Sequence, residues 1–256
     1  MTRENKKDFP MGRETAPRVL IILPAYNEEG KVGRVISKIF AVKQDLPVKA
    51  DVIVVDDGSA DGTVAEAEYL GARVAKHDRN MGVGAAIRTG IDCAKEGDYE
   101  IAVVMSSDDQ HEPLELQRIL EPILNGECEL VQGSRWLREG EVRDIPVFRS
   151  IGTRIYAVLL SIVTPFHFTD ATNGFRAFSP TLFQKKGINI WQTWLNRYEL
   201  EPYILYTAAK RGCRIREVPI TINYHPKSIG YTKMAPLRDW WRLFRPLLFL
   251  TMGLRR

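Results

Sequence analysis

The chain has 256 residues, of which 45% are hydrophobic and 27% charged, and its formal net charge is +4. These proportions describe one large globular α/β domain or two small ones and exclude a disordered chain, while so modest a charge gives no reason to expect nucleic acid as a partner. The three cysteines, Cys93, Cys128 and Cys213, are scattered, odd in number and without metal-ligand spacing, which suits a reducing compartment better than a disulfide framework.

Residues 1–17 are charged, lack the apolar core of a signal peptide and read as a flexible leader. Arg18–Leu23 (RVLIIL) has the aliphatic, β-branched make-up of a strand buried on both faces, and it runs into Pro24-Ala25-Tyr26-Asn27-Glu28-Glu29. Val32, Val35, Ile36, Ile39 and Phe40 then recur on one face of a predicted helix. A second strand, Asp51–Val55, ends in Asp56-Asp57-Gly58-Ser59, and a helix through Leu70 and a short strand at Ala72–Lys76 follow. Beyond His77-Asp78-Arg79-Asn80 a third helix starts near Gly82. A fourth strand, Ile101–Met105, stops abruptly at Ser106-Ser107-Asp108-Asp109-Gln110-His111, ahead of a helix carrying Leu116, Ile119, Leu120 and Ile123.

This alternation predicts a doubly wound, mostly parallel sheet covered on both faces. Ligands in such sheets bind outside the carboxyl ends of the strands, where the four polar clusters at 24–29, 56–63, 77–82 and 106–111 all fall. Downstream the alternation stops. A strand at Leu130–Gly133, a helix over about Phe148–Val163, a turn at Asp170–Arg176, a helix over about Tyr198–Lys210 and a strand at Arg214–Thr221 are predicted. No linker rich in Gly, Pro or Ser divides the chain.

The chemistry-bearing residues lie at the strand ends. Adjacent carboxylates after a buried strand can hold a divalent cation against phosphates, since hard oxygen ligands suit Mg2+ or Mn2+; the same residues also fit a polar turn and helix cap. Asp56 and Asp57 offer acceptors to a base or ribose, or equally an Asx-turn. Gly82-Val83-Gly84 lacks the third glycine of a dinucleotide fingerprint, so a Rossmann dehydrogenase is not expected. The small residues let the helix pack closely, and Arg88 one turn on could reach a phosphate. Arg135, Arg149, Arg154 and Arg176 could form a phosphate-binding cluster. The four histidines have no ligand spacing, so no zinc site is assigned.

Taken together, the motifs from Val19 to Lys233 resemble family 2 glycosyltransferases of the GT-A nucleotide-sugar-binding fold, and within them the polyprenyl-phosphate (dolichyl-phosphate-type) hexosyltransferases. The resemblance is carried by Leu23-Pro24-Ala25-Tyr26-Asn27-Glu28-Glu29, by Val54-Val55-Asp56-Asp57-Gly58-Ser59 and by Asn80-Met81-Gly82-Val83-Gly84. Gly133-Ser134-Arg135 and Thr172-Asn173-Gly174-Phe175-Arg176 continue it. It implies that Pro24, Ala25, Tyr26, Glu28, Asp56 and Asp57, with Asn80, Gly82 and Arg88, hold the nucleotide. Asp108 would be the last acid of the Asp-x-Asp metal motif, with Gln110 two positions on. Arg135, Arg149 and Asn173 would line an acceptor phosphate site, and Lys227 or Lys233 would sit on a phosphate-contacting loop. One departure stands out: Ser106 occupies the place of the family's first aspartate, and an extra Asp109 follows Asp108. Asp108 alone as the anchor, help from Asp109, or a degenerate site are the three outcomes, the first being favoured.

The implied reaction is inverting transfer from a nucleoside diphosphate sugar, with Mg2+ or Mn2+ as cofactor and Asp108, Arg135 and Glu199 as catalytic candidates. A lipid monophosphate acceptor needs no strong base; a glycan hydroxyl does, and Glu199 or Asp170 would supply it. The alternatives are a soluble glycan-building transferase and a catalytically weakened nucleotide-sugar-binding protein. No run reaches the ~20 apolar residues of a membrane span. Residues 234–256, with two tryptophans and recurrent arginines, read as an amphipathic helix lying on a membrane surface. The expected location is therefore cytoplasmic and peripheral on the inner face of the cell membrane.

Overall fold

The structure, a computed structural model, describes residues 16–224 and 236–255. Seven strands form one sheet: β1 (Arg18–Ala25), β2 (Lys49–Asp56), β3 (Arg73–Lys76), β4 (Ile101–Val104), β5 (Leu130–Ser134), β7 (Arg176–Phe178) and β8 (Ile215–Pro219), in the order β3-β2-β1-β4-β7-β5-β8. All neighbours run parallel except β7, which is antiparallel to both β4 and β5. A two-stranded ribbon, β6 (Glu141–Arg143) with β9 (Thr221–Asn223), stands beside it. The sheet is thus mostly parallel, as its sequence predicts, but β7 falls where only a turn is expected, and the strand expected at 214–221 is divided between β8 and β9 at Ile220.

Alternate side chains along β1 explain how the layers form. Leu20 and Ile22 enter one apolar core, and Val19, Ile21 and Leu23 enter another across the sheet. The second core is closed by α1 (Val32–Val42), α2 (Thr63–Tyr69) and α4 (Leu116–Leu124). The first is closed by α3 (Val83–Glu96), α5 (Val147–Val163), the short α6 (Leu182–Lys185), α7 (Leu200–Lys210) and α8 (Pro236–Thr251). Small residues set how closely α3 docks: a Cβ on Gly90 would stand 2.3 Å from Ile22 Cγ2, and one on Gly84 2.2 Å from the Leu195 carbonyl oxygen. The close packing expected of this helix is therefore what its glycines serve.

Helix α8 supplies the C-terminal helix expected within 234–256, and one side of it packs into the domain. Leu243 and Leu247 are buried in the first core, with Trp240 and Phe244 packed against it, and the Tyr156 hydroxyl of α5 donates to the Leu243 carbonyl at 2.9 Å. One side of the helix is thus a wall of the domain against α5 and α7, while Trp241 and Leu248 on it stay exposed. Among the described residues no helix is long and apolar enough to cross a membrane.

Candidate active site

The carboxyl ends of β1, β2 and β4 open on a cavity of about 810 Å3. Two loops build its first wall by interlocking. The Asn27 N–H donates to Ser59 Oγ at 2.8 Å, the Ala60 N–H to Asn27 Oδ1 at 2.8 Å and the Glu28 N–H to Thr63 Oγ1 at 2.7 Å. Asn27 adopts φ 52°, a left-handed conformation that asparagine tolerates better than most residues. Pro24, Ala25, Tyr26 and Glu28 thereby line the cavity, joined by Asp57, Asn80 and Gly82. Asp57 organises the third loop: its carboxylate accepts from Met81 N–H at 2.8 Å and Gly82 N–H at 2.7 Å and meets His77 Nδ1 at 2.8 Å.

The end of β4 forms the cavity floor. Asp108 and Gln110 both line it, and the Asp108 carboxylate takes one hydrogen bond among the described residues, from the Gln110 N–H at 3.2 Å. Asp109 adopts φ 65° and turns away to pair with Arg34 Nε at 3.0 Å and Lys38 Nζ at 2.8 Å on α1. Of the three outcomes left open by the sequence, the geometry therefore leaves Asp108 as the carboxylate of this segment on the cavity wall. No group of three or more His, Cys, Asp or Glu side chains converges among the described residues. One carboxylate with a neighbouring amide oxygen nevertheless fits Mg2+ or Mn2+, which commonly take one or two carboxylates and complete their shell with phosphate oxygens and water.

Ser106 has its own role beside this pair. Its N–H and its hydroxyl both lie 3.0 Å from His111 Nδ1, and His111 Nε2 lies 2.9 Å from Asn173 Oδ1. Since Nδ1 accepts from a backbone N–H, the ring proton sits on Nε2 and donates to Asn173. Burial pushes the His111 pKa down to about 4, so the ring is neutral at physiological pH. Asn173 Oδ1 accepts a second bond from the Phe175 N–H at 2.9 Å, and Asn173 Nδ2 is buried without a hydrogen-bond partner among the described residues.

The opposite wall is held by a relay of buried charges. Glu217 on β8 accepts from the Thr169 and Asp170 N–H groups, and Asp170 in turn accepts from Arg135 Nε at 2.6 Å and Nη2 at 3.2 Å. Arg135 Nη1 donates to the Tyr224 hydroxyl at 2.5 Å, and the Arg149 guanidinium lies 5.1 Å from the centre of the Tyr224 ring. Burial opposes the Arg135 charge and Asp170 outweighs it, so its pKa lies above the usual value. Arg135, Arg149 and Asn173 all line the cavity, but most Arg135 donors are already used within the wall.

Several expected residues fall elsewhere. Arg88 does not line the cavity: it donates to the Ile190 and Gln192 carbonyls and to Asn196 Oδ1, pinning the loop that crosses the start of α3. Asp56 accepts from the Ser59 N–H in its own turn, because successive side chains at a strand end point to opposite sides. Glu199 is 1% exposed and faces Arg242 and Arg245 in a neighbouring pocket rather than the main cavity. Asp170, fully buried beneath Arg135, is likewise not on the cavity wall. Lys227 and Lys233 lie outside the described residues.

Residues without a local signal complete the cavity. Tyr198, whose hydroxyl pKa burial and then Asp239 push up to about 12, lines it together with Arg197, Glu201, Arg238, Asp239 and Arg242. The one acid in an otherwise basic and aromatic α8, Asp239, is a mark that sequence alone could have flagged: it is 2% exposed and bonded by Arg242 Nη1 at 2.7 Å.

Comparison with known proteins agrees with this architecture. The pattern described as glycosyl transferase family 2 matches residues 20–187. A UDP-N-acetylglucosamine–dolichyl-phosphate N-acetylglucosaminyltransferase of Methanococcus voltae is 30% identical, over 92% of this chain and 96% of its own. A polyprenol monophosphomannose synthase of Mycolicibacterium smegmatis is 30% identical, over 85% and 81%. Among solved structures, glucosyl-3-phosphoglycerate synthase from Mycobacterium tuberculosis, in complex with Mn2+ and UDP-glucose, superimposes with a TM-score of 0.68 at 23% identity, covering 94% of this chain and 80% of that one. That likeness gives the GT-A fold. The chain belongs to glycosyl transferase family 2 and is a glycosyltransferase.

Proposed function

We propose that this glycosyltransferase moves a sugar, with inversion, from a nucleoside diphosphate sugar to a polyprenyl phosphate presented at a membrane surface. The observation that carries the reading is the two-sided cavity. Asp57 and Asp108 stand at the strand ends on one side, and Arg135, Arg149 and Asn173 line the other. A phosphate between these walls would meet cationic groups and the Asn173 amide, whose N–H has no partner among the described residues. Of the two relatives described above, one by its name transfers to dolichyl phosphate and the other makes polyprenol monophosphomannose, which supports a polyprenyl-phosphate acceptor here.

In the reaction an acceptor phosphate oxygen attacks the anomeric carbon opposite the leaving group. The bond from that carbon to the diphosphate breaks, and its electron pair stays on the diphosphate. Asp108 and Gln110 would hold a Mg2+ or Mn2+ ion, whose chemistry is to neutralise the departing diphosphate. No proton needs removal from a phosphate that is already anionic. This suits the cavity, because Glu28, Asp57, Glu201 and Asp239 on its wall are each held by a lysine, an arginine or backbone N–H groups. The sugar-hydroxyl alternative needs a carboxylate base, and neither Glu199 nor Asp170 is placed to serve.

The test is transfer from a panel of nucleotide sugars to a short-chain polyprenyl phosphate, with Mn2+ and with chelator. Metal-dependent formation of a glycosyl phosphate is expected. Transfer to glycan hydroxyls alone, or nucleotide binding without turnover on any donor, would overturn the reading.

A further inference from the structure

The loop 77–82 is fastened at both ends by one carboxylate. Strand β3 stops at Lys76, and the His77 N–H adds one more bond, to the Asp56 carbonyl at 2.9 Å. The backbone then leaves the sheet and turns into α3. At the near end of the loop His77 Nδ1 lies 2.8 Å from Asp57 Oδ1. At the far end the Met81 and Gly82 N–H groups donate to Oδ1 and Oδ2 of the same side chain. Between these ties stand Asp78, Arg79 and Asn80, of which Asn80 lines the cavity. Two glycines shape the seat. A Cβ on Gly58 would stand 2.6 Å from the Arg79 carbonyl carbon, and one on Gly82, whose φ is 107°, 2.4 Å from the Asn196 carbonyl oxygen.

The imidazole has a partner on each nitrogen. A carboxylate only accepts, so Nδ1 carries a proton and donates it to Asp57. Nε2 lies 2.9 Å from the Thr89 hydroxyl on α3. A hydroxyl can donate or accept, so this second bond survives in either charge state of the ring. Hydroxyl, imidazole and carboxylate also occur in this order in nucleophilic triads, but neither Thr89 nor His77 is on the cavity wall. The array ends instead on Asp57, the one member that is. A carboxylate offers about four acceptor positions. Among the described residues Oδ1 takes two bonds and Oδ2 one, which leaves the open position on Oδ2.

We propose that His77, oriented by Thr89, is a positioning residue for donor binding. It holds the Asp57 carboxylate and the loop 77–82 so that Asn80 and the open position on Oδ2 meet the nucleoside diphosphate. The inference rests on the donor half of the proposed reaction and is independent of the acceptor. Removing the ring releases one end of the loop, while the main-chain bond from residue 77 to Asp56 stays in place. The loss therefore falls on the site and not on the fold.

The experiment is calorimetric titration of the full chain with a panel of nucleoside diphosphates in the presence of Mn2+. No acceptor takes part, so a wrong acceptor would leave the outcome unchanged. His77→Leu should weaken binding about tenfold or more, the size of a lost hydrogen bond to a charged group, with the melting temperature of the unaltered chain. His77→Asn, whose amide N–H can stand where Nδ1–H stood, should recover most of the affinity. Thr89→Val should weaken binding by a smaller factor alone and by nothing further on top of His77→Leu, because the hydroxyl acts through the ring. Equal affinity of His77→Leu and the unaltered chain overturns the proposal. So does a loss that follows the melting temperature down and is not recovered by asparagine, which would make the ring a structural prop only. Additive losses in the double variant would remove Thr89 from it. An unaltered chain that binds none of the nucleotides would overturn the donor reading itself, and this inference with it.

Discussion

The two walls of the cavity are made by different means. The wall from β1, β2 and β4 is assembled from loops a few residues long that leave consecutive strand ends and bond to one another through backbone N–H groups and short polar side chains. The wall from β5, β8, α5 and α8 is assembled from distant segments tied by buried charges, Glu217 to Asp170 to Arg135 to Tyr224. The first is sheet topology put to use; the second needs the tertiary fold to exist before its charges can be neutralised. Damage to the second wall should therefore register mainly as lost stability, and damage to the first as lost binding and turnover.

The strongest way to break that distinction is Asp170→Ala. It leaves Arg135, 4% exposed, without its main partner, and should cost about 3–5 kcal/mol of stability, read from the denaturant midpoint. A loss of activity with stability unchanged would put the aspartate on the catalytic side. Next is Asp108→Ala, expected to lower transfer about a hundredfold or more and to abolish Mn2+ binding in calorimetry with the melting temperature unchanged. Asp109→Asn is its control: because Asp109 faces Arg34 and Lys38, metal binding and turnover should persist. The smallest effect concerns pH. His111 falls from the usual 6.5 to about 4 in the folded protein, so below pH 6.5 the unfolded chain takes up a proton that the folded one refuses. Stability is fully present above 6.5 and is lost as pH falls toward 4, by on the order of 1 kcal/mol per pH unit. A melting temperature flat across that window would mean that the ring is protonated in the fold.

The same contrast decides what the sequence discloses. Strand ends, the Asp57 loop, the cavity residues at 24–28 and the position of Asp108 are readable because period-two burial and turn residues are local. Strand β7 is not, since three residues, Arg176-Ala177-Phe178, carry too little pattern to reveal that they enter the sheet between β4 and β5. Arg88 illustrates a second limit. One turn into α3 is a sensible place for a phosphate ligand until the loop 189–196, about a hundred residues away in the chain, folds over and takes its donors. The segments 147–163 and 234–256 look alike as apolar helices with arginines. Both put one side into the first core and leave apolar side chains exposed on the other, Val147, Ile151 and Ile162 on α5 and Trp241 and Leu248 on α8, a division that only the packed fold reveals.

The contact between His111 and Asn173 has a consequence for what the cavity can recognise. With two N–H groups fastened to Oδ1, the amide has no freedom to rotate its ends, so Asn173 is fixed as a donor before any substrate arrives. The backbone N–H at position 106 secures this by occupying Nδ1 from the other side, which decides the tautomer. The polarity of one wall atom is thus set by a main-chain N–H two groups away, a control that does not depend on which side chain stands at 106.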